Sequence, residues 1–150
     1  MKYFILAGEK SGDLHGSNLI QEIKKLDNKA LIKAWGGDSM ESQGAEILIH
    51  HNQLAIMGIL GVIQNIQRLK GLFKTFGEQI EAFQPDAVIF IDYGGFNLKA
   101  AKIAKKKGLQ EVLFLEWDFG NRDFGPIAAR IKDAKPDMVW VGDIALEGNM

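Results

Sequence analysis

The chain has 150 residues, of which 47% are hydrophobic and 25% are charged, and its formal net charge is -1. This composition predicts a soluble globular protein of one domain, 1–150, and the nearly balanced charge gives no basis for a nucleic-acid partner. Because the chain has no cysteine, disulfides and thiolate metal sites are excluded.

Short apolar runs alternate along the chain with amphipathic stretches. The compact apolar runs predict buried strands, at residues 3–7, 30–35, 87–91, 111–116 and 138–141, and 46–49 is a candidate for another short strand. Apolar residues at helical spacing predict helices at 14–26, 38–43, 60–83, 96–107 and 123–134. The first helix has Ser11 or Asp13 as a candidate N-cap, Asp38 can cap the second, and the long third helix is expected to break near Gly71 or Gly77.

This repeated strand–helix order predicts an α/β fold. Strands that are apolar throughout, rather than alternating, are typical of a parallel sheet with helices on both faces. We therefore expect a single doubly wound domain of the Rossmann or flavodoxin-like kind with about five mainly parallel strands, in the order 2-1-3-4-5. Ligands of such folds bind beyond the carboxyl ends of the strands, which directs attention to the loops 8–13, 36–39, 92–97, 116–123 and 142–148.

The loop GEKSGDLHG, residues 8–16, joins the first strand to the first helix. A glycine-rich turn at a helix amino terminus can bind an anion through backbone N–H groups. The spacing fits neither a dinucleotide-binding nor a P-loop motif, however, and Glu9 and Asp13 would repel a phosphate. A capping role for Asp13 is the alternative.

Four motifs resemble the amino-terminal half of the lipid-A-disaccharide synthase family, in that family's order and spacing. They are AGEKSGDLHGSNLI (7–20), WGGDSM (35–40), LAIMGILGVI (54–63) and QPDAVIFIDYGGFNL (84–98), and the resemblance covers about residues 1–108. It implies a glycosyltransferase of the GT-B type, which transfers a glucosamine-based sugar from a UDP donor onto lipid X at a membrane surface. The amino-terminal half would be the acceptor side.

The same resemblance implies roles for individual residues. Asp92 matches the family's candidate general base, which would take the proton of the attacking sugar hydroxyl, although it could instead cap the helix that follows. Ser11, Asp13 and Asn97 fall on motif positions that could contact substrate. The apolar stretch 54–63 would face acyl chains or the membrane, or would cause weak self-association if exposed.

Metal and cofactor sites are not expected from the sequence. His50 and His51 are neighbours, so on a strand their side chains would face opposite sides and could not share a metal ion. His15 is expected to pack or cap. No apolar run is long enough to span a bilayer, and the first residues form a charged strand rather than a signal peptide, so a cytoplasmic location, peripheral to the membrane, is expected.

Three departures from the family pattern are visible. Gly61 stands where the family usually has glutamate, and Gly94 stands where it usually has proline. After Gly108 the family would continue into an aromatic-rich segment and then a UDP-sugar domain, and neither is present in the chain. A reaction that takes place between two domains would therefore lack one of them.

The remaining residues suggest a second parent. The segment EVLFLEWDFGNRDFGPIAARIKDAKPDMVWVGDIALEGNM (111–150) resembles the type I periplasmic binding proteins for branched-chain amino acids. This similarity predicts an engineered chimera, with a junction at 103–112 between a segment 1–108 and a segment 109–150 that completes the sheet.

Three functions are compatible with these features. The first is a chimeric α/β scaffold without catalytic activity, cofactor or required partner. The second is an acceptor-side fragment of lipid-A-disaccharide synthase that retains acceptor binding. The third is half of a solute-binding site formed by the loop 116–123.

Overall fold

The computed structural model describes residues 1–55, 62–91, 94–109, 111–114, 125–134 and 138–141. Within these ranges strands and helices alternate along the chain. The strands are β1 (Lys2–Ala7), β2 (Leu31–Gly36), β3 (Glu46–His50), β4 (Ala87–Ile91), β5 (Glu111–Phe114) and β6 (Met138–Val141). The helices are α1 (Lys10–Leu26), α2 (Asp38–Ser42), α3 (His51–Ala55), α4 (Val62–Phe83), α5 (Gly94–Lys106) and α6 (Gly125–Ala134).

The described strands form one six-stranded sheet in the order β3-β2-β1-β4-β6-β5, and each of its strand pairs is parallel. The predicted parallel α/β fold with helices on both faces is confirmed. The sheet has one strand more than the five expected, because the short candidate at 46–49 is a paired strand, β3. The predicted order is also wrong, since the last two strands exchange places.

The exchanged strands explain the position of α6. From β5 at the sheet edge the chain returns inward to β6, whereas the preceding crossover from β4 to β5 runs outward. Because such crossovers are right-handed, a reversal of direction moves the connecting helix to the opposite face of the sheet. In agreement, Ala128 of α6 is buried in the same core cluster as the apolar residues of α1.

Two apolar cores lie on the two faces of the sheet. Alternate strand residues supply each core, so that Ile5 and Ile89 belong to the face of α1 and α6, while Phe4 and Phe90 belong to the face of α4 and α5. Both faces of the central strands are covered by helices, and all five residues of β4 are buried. This burial accounts for the continuous apolar runs of the sequence.

The long helix α4 runs from Val62 to Phe83 without the predicted break. A glycine weakens a helix but does not by itself end it. A Cβ atom added at Gly71 would have no heavy atom within 4 Å, and one at Gly77 would touch only the Ile103 side chain at an ordinary 3.5 Å. Phe73, Phe76 and Ile80, beside the two glycines, pack in the core of this face, and this packing keeps the helix continuous.

Replacement of Gly71 by alanine is expected to stabilise the protein by about 0.5–1 kcal/mol, because alanine restricts the unfolded chain and meets no clash in the helix. Urea denaturation would measure the change in the free energy of unfolding. Gly44→Ala is the matched control: Gly44 has a φ of +85°, which a Cβ atom disfavours, so this variant should lose stability. A loss in the Gly71 variant would contradict the expectation.

Candidate functional site

The carboxyl edge of the sheet, at β1 and β4, is the place where the fold can form a ligand site. These two strands are neighbours, but β1 leads through α1 to β2 on one side, while β4 leads through α5 towards β5 on the other. The connections that leave them therefore diverge, and doubly wound folds bind their ligands at such a point.

Asp13 connects two of the loops at this edge. Its side chain is buried and accepts three backbone hydrogen bonds from the segment that follows β2. Oδ1 accepts from the N–H of Gly37 at 2.7 Å and of Met40 at 3.1 Å, and Oδ2 accepts from the N–H of Ser39 at 3.0 Å. A carboxylate of α1 thus satisfies the free N–H groups at the start of α2.

The electrostatics of Asp13 agree with this geometry. Burial alone would raise the pKa of the Asp13 carboxyl, but the hydrogen bonds from the Ser39 side chain and from the backbone of Met40, Ser39 and Gly37 outweigh it and hold the pKa below its ordinary value of 3.8. Asp13 is consequently ionised at neutral pH. Because this carboxylate already occupies the amino end of α2, that helix end is not open to an exogenous anion.

The predicted caps at this edge are therefore corrected. The helix α1 begins at Lys10, and its N-cap Glu9 makes no side-chain capping bond, so neither Ser11 nor Asp13 caps α1. Ser11 lies on the exposed side of the first turn. The N-cap of α2 is Gly37 rather than Asp38, and its missing side chain is replaced by Asp13 from the other helix.

Gly37 is a site residue that the sequence did not single out. A Cβ atom at this position would lie 2.5 Å from Cδ2 and 2.6 Å from Nε2 of His51 and 3.0 Å from Oδ2 of Asp13, distances that require a neighbour to move. The ring of His51 and the Asp13 carboxylate therefore pack directly on the backbone here. In the sequence, the glycine pair that follows the predicted strand 30–35 was the feature that could have indicated this close packing.

Asn97 ties α5 to the end of β4. It is buried, and its Nδ2 donates a hydrogen bond to the carbonyl oxygen of Ile91, the last residue of β4, at 3.3 Å. Its Oδ1 is also buried and has no hydrogen-bond donor among the described residues. Asn97 thus holds the strand end that precedes Asp92.

Several predicted features lie outside the described residues. They are Asp92, most of the apolar stretch 54–63, the loop 116–123 and the segment 142–148. The structure places Ser11 and Asp13 at the start of α1 and Asn97 at the start of α5, and therefore at the carboxyl ends of the neighbouring strands β1 and β4.

The histidine prediction is wrong in its geometry. His50 ends β3 and His51 begins α3, so the two do not alternate on one strand, and their ring centroids are only 4.5 Å apart. Within the residues that the structure covers, no group of three or more His, Asp or Glu side chains is arranged to hold a metal ion.

The described ends of the stretch 54–63 are in helices. Leu54 of α3 is buried in the core on the α4 face, so this residue belongs to the core rather than to an exposed patch. Large apolar side chains are instead exposed elsewhere at this edge: Leu14 (56%), Ile66 (49%) and Leu98 (47%). Each lies near the amino end of its helix, α1, α4 or α5.

In the part of the chain that the structure describes, no helix combines the length and apolar character of a membrane span.

Comparison with known proteins points to one family. A model of the family described as lipid-A-disaccharide synthetase matches residues 3–115. A lipid-A-disaccharide synthase of Coxiella burnetii is 35% identical over 121 residues, covering 77% of this chain and 32% of that protein. The synthase of Geobacter metallireducens is 34% identical over 114 residues, covering 76% of this chain and 30% of that protein. The chain thus spans about a third of the length of these curated relatives.

A solved structure with a related fold is UDP-GlcNAc 2-epimerase from Neisseria meningitidis bound to UDP-GlcNAc. It matches with a TM-score of 0.50 and 13% identity, over 85% of this chain and 39% of that protein. At this identity the match shows the α/β fold alone.

The predicted resemblance of residues 1–108 is confirmed by these matches, and it extends further than expected. The family match continues to residue 115, beyond the interval 103–112 predicted for a junction. Nothing in these matches supports a chimera or a periplasmic-binding-protein origin of residues 111–150. The chain belongs to the lipid-A-disaccharide synthetase family.

Proposed function

We propose that the chain is the acceptor-side part of a lipid-A-disaccharide synthase and that it binds the sugar-lipid acceptor at the carboxyl edge of β1 and β4. The observation that carries this proposal is the family match over residues 3–115, which includes Asp13, Asp92 and Asn97. In the complete reaction a glucosamine-based sugar would pass from a UDP donor to a hydroxyl of lipid X.

The surface around this edge is consistent with an acceptor that has both a sugar and acyl chains. Asn97 lies at this edge, on the family motif 84–98 near the start of α5, and would contact a hydroxyl of the acceptor. Leu14, Ile66 and Leu98 expose apolar surface near the amino ends of three helices that start at this edge. Contact of this surface, together with the stretch 54–63, with acyl chains at the cytoplasmic face of a membrane is part of the proposal.

Asp92 is proposed as the general base of the complete enzyme. It directly follows Ile91, whose carbonyl oxygen Asn97 holds, so Asn97 would position the strand end that carries the carboxylate. A base at this point could take the proton of the attacking hydroxyl as the new glycosidic bond forms. Asn97 is accordingly a positioning residue for Asp92 as well as a substrate contact.

Binding without turnover is the expected behaviour of this chain alone. Glycosyl transfer requires the donor and acceptor to be held in one geometry, and the positioning of two reactants supplies a large part of enzymatic rate enhancement. The chain spans 32% of the Coxiella relative, and the donor would be bound by a part of the enzyme that lies beyond that span.

The test is a thermal melt of the purified chain with increasing concentrations of a soluble lipid X analogue. Ligand that binds the folded state alone raises the melting temperature in a saturable manner. Asn97→Ala is expected to weaken binding about tenfold, in line with the loss of a buried hydrogen bond of about 1.4 kcal/mol. Lys99→Ala, an exposed neighbour on the same helix, is the matched control and should bind as the parent does.

Two results would contradict the proposal. A cooperative melt that the analogue does not shift at any concentration would favour a folded scaffold with no ligand site. Equal binding by the Asn97 and Lys99 variants would remove Asn97 from the site.

Asp92→Asn should retain acceptor binding. A general base accelerates the reaction by taking a proton and does not contribute to the affinity for the acceptor.

A further inference from the structure

A groove lies at the amino edge of the sheet, on the face that α4 covers. Its volume is about 410 Å³, which is in the range of sites for small molecules. Its walls include the first residues of β1 and β2, part of β3 and the last turns of α4. The side chains concerned are Lys2, Leu31, Lys33, Leu48, Gln79 and Phe83. The groove is therefore at the edge opposite to the proposed acceptor site.

Two lysines of this groove stand on the inward side of their strands. Side chains alternate along a strand, so Lys2 lies on the side of Phe4 in β1, and Lys33 lies on the side of Trp35 in β2. Phe4 and Trp35 both belong to the core on the α4 face. Because β2 lies between β3 and β1, Lys33 is not on an edge strand. Apolar residues are typical of such positions, and two lysines give this end of the face a cationic character instead.

The protein satisfies each of the two ammonium groups only in part. Lys2 Nζ donates to the carbonyl oxygen of Phe83 at 3.2 Å, and the described residues supply no carboxylate that pairs with it. Asp86 accepts the backbone N–H of Lys2 at 2.7 Å instead. Lys33 Nζ lies 3.2 Å from Oε1 of Glu46, whose side chain is 61% exposed, and such pairs contribute little. Since an ammonium group has three protons, both lysines keep donors for a further acceptor.

The groove also offers an aromatic surface and an amide donor. The centroid of the Phe83 ring lies 5.6 Å from Lys2 Nζ and 5.2 Å from Lys33 Nζ, so both lysine stems reach this ring. Gln79 Oε1 accepts a hydrogen bond from the indole N–H of Trp35 at 2.7 Å. Because an indole N–H can only donate, this bond fixes the orientation of the amide. The NH₂ group of Gln79 then remains as a donor without an acceptor among the described residues.

A second hollow at the same edge differs in its charge. It is lined by Lys107 and Glu81, and these two side chains form an ion pair of 2.6 Å. The ammonium group of that hollow is thus already neutralised by a carboxylate of the protein. The excess of donors is a property of the first groove rather than of the whole edge.

We propose that the first groove binds an apolar anion, namely a carboxylate that carries a short alkyl chain. The carboxylate accepts hydrogen bonds from the ammonium groups of Lys2 and Lys33. The alkyl chain covers Phe83 and Leu31, whose side chain is 58% exposed. Charge complementarity selects the anion, and burial of apolar surface selects the alkyl chain.

The test is a titration of the ¹⁵N-labelled protein with sodium octanoate, followed by amide chemical shifts. Octanoate should shift the amides of Leu31, Lys33 and Leu48 in a saturable manner. Octanamide, which has the same alkyl chain without the charge, should bind about tenfold more weakly. Lys33→Met keeps the stem on Phe83 and removes the charge, so octanoate should bind about fivefold more weakly. Lys107→Met removes one charge from the same edge outside the groove, and this control should bind octanoate as the parent does.

Four results would overturn the proposal. The first is the absence of saturable shifts at the groove amides, and the second is equal affinity for octanoate and octanamide. Equal binding of octanoate by the Lys33 and Lys107 variants would assign the attraction to the net charge of the protein. Shifts confined to the amides around Leu14 and Leu98 would place octanoate on the proposed acceptor surface at the other edge. The comparison of octanoate with octanamide uses the parent protein, so it decides the question even if a variant does not fold.

Discussion

Asp13→Ala is expected to lower the free energy of unfolding by about 2–4 kcal/mol. The variant leaves the N–H groups of Gly37, Ser39 and Met40, which now donate to the Asp13 carboxylate, without their acceptor, and two of these three bonds are buried. Urea denaturation at neutral pH should show a lower midpoint with an unchanged slope, since the sheet and both cores remain.

Glu9→Gln is the control for this variant. Glu9 is exposed in the same loop and makes no capping bond with its side chain, so loss of its charge should change stability by less than about 0.5 kcal/mol. Equal losses in the two variants would mean that the charge of the loop matters rather than the hydrogen bonds of Asp13. Asp13→Asn should fall in between, because an amide keeps one acceptor oxygen but replaces the other by a donor.

The lowered pKa of Asp13 also fixes the direction of its pH dependence. A carboxyl whose pKa is lower in the folded state than its ordinary value of 3.8 contributes stability that is fully present above that value. This contribution is lost as the pH falls below 3.8 through the folded-state pKa. The parent chain should therefore lose more stability on acidification in this range than Asp13→Asn does, whereas Glu9→Gln should follow the parent. Parallel acid titrations of all three would contradict the assignment.

The individual elements could be predicted from the sequence because each is specified by nearby residues. The runs 87–91 and 138–141 match β4 and β6. For β4, whose five residues are all buried, the reason is that a strand buried on both faces needs an unbroken apolar segment. The order of β5 and β6 could not be predicted. Both orders use the same two apolar runs, and the direction of a crossover depends on the face against which α6 packs.

The candidate site could be predicted only in part, for a related reason. The turn after β1 could be predicted, because glycine and polar residues after an apolar run indicate one. The helix α1 begins at Lys10, however, and so includes residues 10–13 of the predicted loop 8–13. The role of Asp13 could not be predicted, because its partner Gly37 is 24 residues away in the chain, and only the fold brings α1 and α2 together. Likewise, the two histidines were expected to face opposite sides if they lay on a strand. Because β3 ends at His50 and α3 begins at His51, their rings lie side by side instead.

Phe76→Ala is expected to lower the free energy of unfolding by about 3–5 kcal/mol, the largest effect of the substitutions considered. Phe76 of α4 is fully buried, and its ring makes edge contacts with Phe4 at 5.5 Å and Trp35 at 5.7 Å between centroids. A third ring, that of Phe90, lies 6.0 Å away. Alanine would leave a cavity and would remove the ring contacts of α4 with β1, β2 and β4 together.

Phe83→Ala is the matched control, because Phe83 is a half-buried phenylalanine near the end of the same helix. It should lose about 1–2 kcal/mol, as less apolar surface is removed from water and no closed cavity forms. Comparable losses in the two variants would contradict the larger contribution expected of the fully buried Phe76 ring. Because α4 begins at the carboxyl edge that we propose for the acceptor, Phe76→Leu, which fills most of the cavity, should also weaken binding of the lipid X analogue. Phe83→Ala should leave that binding unchanged. Comparison of the two variants therefore distinguishes a shift of α4 from a general loss of stability.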